Sequence, residues 1–208
     1  MTLTRLRAVD VIAVVTAIAW LAAQLIGMDR VAEAGGFVPA RVGGLVDLPG
    51  ALPVWLTPFS ATLIHADALH LAFNLLMLVW TGRQVEQALG PKLFVALYAV
   101  GAVAAAAAQW ALGPSSLAVM IGASGAISAI VAVYALVFSE QRVRAIGPIP
   151  PHVVRALWLG AAWIGIQLLI GLGFGMGGSG IALGAHAGGF VAGLLLARPM
   201  LRWRFKHR

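Results

Sequence analysis

The 208-residue chain is 61% hydrophobic and only 10% charged, with a mean hydropathy of +0.95, whereas soluble domains are about a quarter charged. This excludes an ordinary soluble domain, and the absence of cysteine excludes disulfides, thiolate metal sites and a cysteine nucleophile. The formal net charge of +7 is what a nucleic-acid binder carries, but its distribution along the chain assigns it to membrane orientation instead, so no nucleic-acid partner is expected.

Apolar runs long enough to cross a bilayer (about 17 to 25 residues) fall at 11–27, 63–80, 93–112, 117–138, 156–174 and 181–197. In lipid each is expected to be helical, because only a helix satisfies its own backbone there. The first run follows "MTLTRLR" and precedes "AEA", features shared with a signal peptide. Its length, with Arg5 and Arg7 as a cytoplasmic anchor, favours a retained span. Residues 28–62 hold Gly35-Gly36, Pro39, Gly43-Gly44, Pro49-Gly50, Pro53 and Pro58, which predicts a broken external loop. Phe37, Leu45, Leu48, Leu52, Val54, Trp55 and Phe59 make that loop too apolar for a free linker and seat it in the outer interface. No repeat or further linker follows, so residues 1–208 form one all-α membrane domain of six spans.

Six spans place both termini on one side. With the N-terminus cytoplasmic, that side holds Arg5, Arg7, Arg83, Lys92, Arg142, Arg144, Arg155, Arg198, Arg202, Arg204, Lys206 and Arg208, against Arg30 and Arg41 outside. Twelve against two is a strong positive-inside asymmetry and makes both termini cytoplasmic. The tail "RPMLRWRFKHR" also attracts anionic membrane lipid.

Polar residues inside spans are costly and mark function by default. Here they are His65, Asp67, His70 and Asn74 in the second run, Ser124 and Ser128 in the fourth, Gln167 in the fifth and His186 in the sixth. Counting from the outer ends, His70, Ser124 and His186 each lie about 8–10 Å deep. His70 and Asn74 share a helix face at i, i+4, with His65 higher and on a neighbouring face. A serine needs a base to become a nucleophile, and His186 or His70 can serve. The Ser124 backbone N–H, a His70 ring N–H and the Asn74 amide are available to an oxyanion. Asp67 reads as a solvated helix-start carboxylate. Gly122 and Gly125 flank the serine and, with Gly189 and Gly193 in the small-xxx-small pattern, are expected to serve close helix packing.

Taken singly, each feature has a plainer reading. A membrane serine often bonds a carbonyl one turn back, and a membrane histidine can serve a helix contact or a proton path. His65 and His70, five apart, suit two metal ligands poorly, so no metal is expected. A small channel or transporter using the histidines is an alternative reading of the same residues.

The motifs together resemble those of the rhomboid intramembrane serine proteases over about residues 11–197. "HADALHLAFN" resembles the family's His-x4-His-x3-Asn stretch at His65, His70 and Asn74, and "GRQVEQALG" the segment closing the second helix, with Glu86 before Gly90. "GASG" matches Gly-x-Ser-Gly at Ser124, and "AHAGGFVAG" matches Ala-His-x2-Gly-x3-Gly at His186. The resemblance implies a six-helix rhomboid-like bundle in which Ser124 is the nucleophile and His186 the general base. It implies an oxyanion hole from the Ser124 N–H, His70 and Asn74, a fourth helix that starts near the serine, and a water-filled cavity open to the outside. His65 is then assigned to water supply or hydrogen bonding in that cavity. The activity implied is cleavage of transmembrane protein substrates near the outer face, through an acyl-enzyme and without a cofactor, in a prokaryotic plasma membrane. A catalytically silent relative that binds membrane clients is the alternative within the same fold. One departure is visible: the family's first loop carries Trp-Arg, and here Leu56 follows Trp55.

Overall fold

A computed structural model of the chain describes residues 6–138, 143–173 and 182–206; the side chains of 167–173, Gln167 included, lie outside that description, as do Arg5, Arg142, Arg208, Phe174 and Ile181. Its elements in order are α1 (Ala8–Ile26), α2 (Met28–Gly35), α3 (Pro39–Val42), α4 (Thr57–Ser60) continued by a 3-10 turn (Ala61–Leu63), α5 (Ala68–Leu89), α6 (Pro91–Leu112), α7 (Ser124–Phe138), α8 (Pro151–Gly173) and α9 (Leu183–Lys206). The described residues are helical with no strand, only two isolated bridges.

Each of the six apolar runs overlaps one long helix: α1, α5, α6, α7, α8 or α9. By length and apolarity α1 and α6 suffice to cross a membrane, and α4 with its 3-10 turn plus α5 forms a third candidate bent by 104°. α1 shows why the surrounding solvent is lipid. Val9, Thr16 and Ala23 are buried along one face, while Val14, Ile18, Leu21 and Leu25 are exposed along the other. A soluble protein rarely exposes a continuous apolar face of that kind. The Thr16 hydroxyl, which would otherwise be stranded, donates to the Ile12 carbonyl at 2.8 Å.

Two boundaries differ from expectation in ways that matter for the site. The second run does not form a helix from 63 onward. Asp67 is the N-cap of α5, accepting from the Leu69 and His70 amides at 2.9 and 2.8 Å, and Ile64 leaves the preceding turn in extended backbone. The charged cap at the positive end of a helix sets where α5 can begin. His65 therefore precedes the helix rather than riding on it. Likewise α7 starts at Ser124 itself, as the resemblance implied and not at the apolar run's start at 117, and its 15 residues make about 22 Å of helix, short of a ~30 Å hydrocarbon core. α9 runs past its expected end at 197, through Pro199, to Lys206.

The external loop folds onto the bundle. Phe37 and Met120 exchange backbone hydrogen bonds of 3.0 and 2.8 Å, Ala40 N–H donates to the Ser116 carbonyl at 3.0 Å, and Gly122 N–H donates to the Ala61 carbonyl at 2.8 Å. Phe37, Val38, Ala40 and Ala61 are buried, whereas Leu45, Leu52, Trp55 and Phe59 stay exposed; only the latter fit the expected interfacial seating. Leu56 contributes no cation to the loop, and other groups brace it. Arg41 Nη2 donates to the Leu52 carbonyl at 2.9 Å and Ser60 Oγ to the Gly35 carbonyl at 2.6 Å.

At the opposite end of α5, Glu86 is buried and accepts from the Ala8 and Val9 amides through its two oxygens, each at 2.9 Å. A carboxylate thus satisfies the first amides of α1. Beside it Arg83 pairs with Asp10 at 2.8 Å.

Candidate active site

The nucleophile candidate sits where irregular backbone becomes helix. Gly122 has φ +110°, and a Cβ there would stand 2.8 Å from the His70 ring and in strained backbone. Gly122 is consequently a turn residue against His70, not the helix-packing residue expected. Ala123 N–H donates to His65 Nε2 at 3.3 Å, so the fully buried His65 holds the residue just before Ser124. Its ring packs edge-on to His70 with centroids 4.9 Å apart. Five residues on a helix would have turned the two rings apart; the break before Asp67 brings them together. The expected part in hydrogen bonding within the site has a definite partner, the backbone of Ala123.

Ser124 and His186 meet. Oγ and Nε2 are 2.7 Å apart, and the two residues are 8% and 6% exposed. Ser124 opens α7, and its N–H, one of the four amides a helix leaves unpaired at its start, has no acceptor among the described residues. His186 lies in the first turn of α9, its N–H bonded to the Ala182 carbonyl at 3.1 Å, and its Nδ1 is buried without a partner among the described residues. No acidic group stands behind it there.

Close helix packing makes that meeting possible. A Cβ on Gly189 would strike the Gly125 carbonyl, and one on Gly193 the Ala129 carbonyl, so α9 touches the α7 backbone directly. Gly125 faces Ala105 of α6 in turn, where a Cβ would come within 2.6 Å. Small residues at facing positions let membrane helices approach backbone to backbone.

Asn74 is buried, and its Nδ2 donates to the His70 carbonyl at 2.9 Å, while Oδ1 has no partner among the described residues. One of its two N–H donors is therefore engaged along α5 rather than toward Ser124. The cavity beside Ser124 is about 20 Å³, lined by Ala61, Met120, Gly122, Ala182 and Ala185 among others. That admits about one water.

One participant was not anticipated. Trp163 of α8 donates from Nε1 to Ser128 Oγ at 2.8 Å, and Ser128 Oγ donates to the Ser124 carbonyl at 2.7 Å. All three residues are buried. The available signal was an indole in the middle of an apolar run, since a buried Trp N–H requires an acceptor.

These elements define a helical membrane protein in which a serine and a histidine from separate helices are in hydrogen-bond contact. The Rhomboid domain family model matches residues 53–203, and the chain belongs to that family. It is 33% identical over 153 residues to Rhomboid protease GlpG of Serratia proteamaculans, covering 72% of this chain and 48% of that protein. It is 30% identical over 159 residues to Rhomboid protease AarA of Providencia stuartii, covering 69% and 54%. With Rhomboid protease GluP of Bacillus subtilis it shares 27% over 146 residues, covering 70% and 26%. The chain thus spans about half or less of the length of these relatives. The family and the apolar helices together make it an integral membrane protein.

Proposed function

We propose that the chain is an intramembrane serine endopeptidase of six spans with cytoplasmic termini, cutting transmembrane protein substrates near the outer face of a prokaryotic plasma membrane. The observation that carries this reading is the 2.7 Å approach of Ser124 Oγ to His186 Nε2. With the proton of the imidazole on Nδ1, Nε2 accepts from the serine hydroxyl and takes its proton as Oγ bonds to the scissile carbonyl carbon. The carbonyl π electrons move onto oxygen, and the unpaired Ser124 N–H is set to receive that charge, with His70 and the free N–H of Asn74 as further donors. Collapse expels the amine, which takes the proton back from His186. Water then attacks the acyl-enzyme with His186 again taking its proton; the acyl C–Oγ bond breaks, His186 returns that proton to Ser124 Oγ, and the new carboxyl group leaves. The single-water cavity beside Ser124 suits that last step.

The test is a fluorophosphonate probe on the purified protein, with labelled peptides mapped by mass spectrometry. The expected result is one adduct at Ser124, lost in His186→Ala. A probe that leaves Ser124 unmodified in a folded protein would instead indicate a relative that binds membrane clients without cutting them.

A further inference from the structure

The bundle carries a second hollow at the end remote from Ser124, where the α5–α6 corner meets the C-terminal part of α9. A cleft of about 420 Å³ is lined by Leu89, Gly90, Lys92, Leu93, Trp203 and Arg204 among others. It adjoins a second hollow of about 290 Å³ that shares Gly90, Pro91 and Arg204 and adds Arg7 and Glu86. Three cations from three parts of the chain therefore converge on one corner. Among the described residues the ion pair is Arg83–Asp10, and no described carboxylate lies within pairing distance of Arg7, Lys92 or Arg204. Glu86 is the acid at this corner, and both its oxygens already serve the α1 amides.

The backbone adds to the same field. α6 begins here with Gly90 as N-cap, no side-chain cap and Pro91 at its start, so the amides of its first turn and the positive end of a 22-residue helix face the corner uncapped. Gly90 sits at φ +83°, and a Cβ would stand 3.1 Å from the Arg204 guanidinium carbon; glycine is what lets that guanidinium lie flat against the corner. The other wall of the cleft is apolar, from buried Leu89 and part-buried Leu93 to the exposed Trp203. Cations at one end and apolar side chains at the other match a phosphate joined to an acyl chain, which inorganic phosphate does not.

We propose that this cleft is a binding site for an anionic phospholipid of the cytoplasmic leaflet, its phosphate held by Arg7, Lys92 and Arg204 and its acyl chain running along Leu89, Leu93 and Trp203. The site is independent of the serine chemistry, so its test needs no activity.

Native mass spectrometry of the detergent-solubilised full chain, titrated with phosphatidylglycerol or phosphatidylcholine, reads it directly. Wild type should bind phosphatidylglycerol selectively. Each cation removed from the cleft should weaken that binding about fivefold, so Lys92→Gln/Arg204→Gln loses about 25-fold. Arg202→Gln/Lys206→Gln removes the same amount of charge from tail positions on either side of Arg204 but outside the cleft, and should change binding less than about twofold, since residues two apart on a helix do not face the same way. Where the cleft double variant does not fold, the exposed Lys92→Gln alone carries the test at about fivefold. Equal losses in both double variants would reduce the site to a diffuse basic tail. Phosphatidylcholine binding equally well, or displacement of phosphatidylglycerol by millimolar inorganic phosphate, would overturn the lipid assignment.

Discussion

Ser128 holds the position from which the α7 start is fixed: it receives the Trp163 indole and gives its own proton to the Ser124 carbonyl. Ser128→Ala leaves a buried indole N–H unpaired and should cost about 1–3 kcal/mol of stability. Trp163→Phe added to it removes that orphan donor, so the double variant should lose less than the sum of the two single changes, measured by unfolding in mild detergent. Asn74 supplies a second residue-scale prediction. If its free N–H serves the oxyanion, Asn74→Ala lowers kcat by about 10²–10³-fold with the Ser124 probe reaction reduced but present. At this scale the residue types were legible and their geometry was only partly so. Ser124 and His186 were readable because depth along two helices brought them level. His65 was misplaced on α5 because an apolar run hides the break that Asp67 imposes two residues later, and that break decides that His65 meets the Ala123 amide.

The elements depend on glycine where backbones touch. Gly189 and Gly193 admit α9 to the α7 carbonyls, whereas a Cβ on Gly165 of α8 would meet nothing within 4 Å. Gly189→Ala should therefore destabilise the protein by about 1–3 kcal/mol and separate Ser124 from His186. Gly165→Ala should be neutral or stabilising by up to about 1 kcal/mol. Thermal unfolding of the two alanine variants against wild type makes the comparison. The six long helices could be read from hydropathy, since each apolar run overlaps one. The start of α7 was not readable from hydropathy, because Leu117 to Ile121 are as apolar as the helix that follows. The Met120 and Gly122 backbones of this approach are held by the external loop through Phe37 and Ala61, a long-range pairing that no local pattern announces.

Across the whole molecule, buried Glu86 ties the start of α1 to α5, and the external loop ties the α7 approach to the other end. Glu86→Ala would strand the Ala8 and Val9 amides and should cost about 2–3 kcal/mol, seen as earlier loss of α1 protection in hydrogen exchange. Charge asymmetry along the chain predicted the clustering of Arg7, Lys92 and Arg204 on one side, but not that they surround a cleft. That follows from α9 continuing past Pro199, beyond the end at 197 expected from the apolar run. The chain's central claim rests on the Ser124–His186 contact, and cleavage of a reporter transmembrane segment in liposomes tests it most directly. Wild type should cut, with Ser124→Ala and His186→Ala each slower by at least about 10³-fold. Cutting that persists in Ser124→Ala would contradict the account.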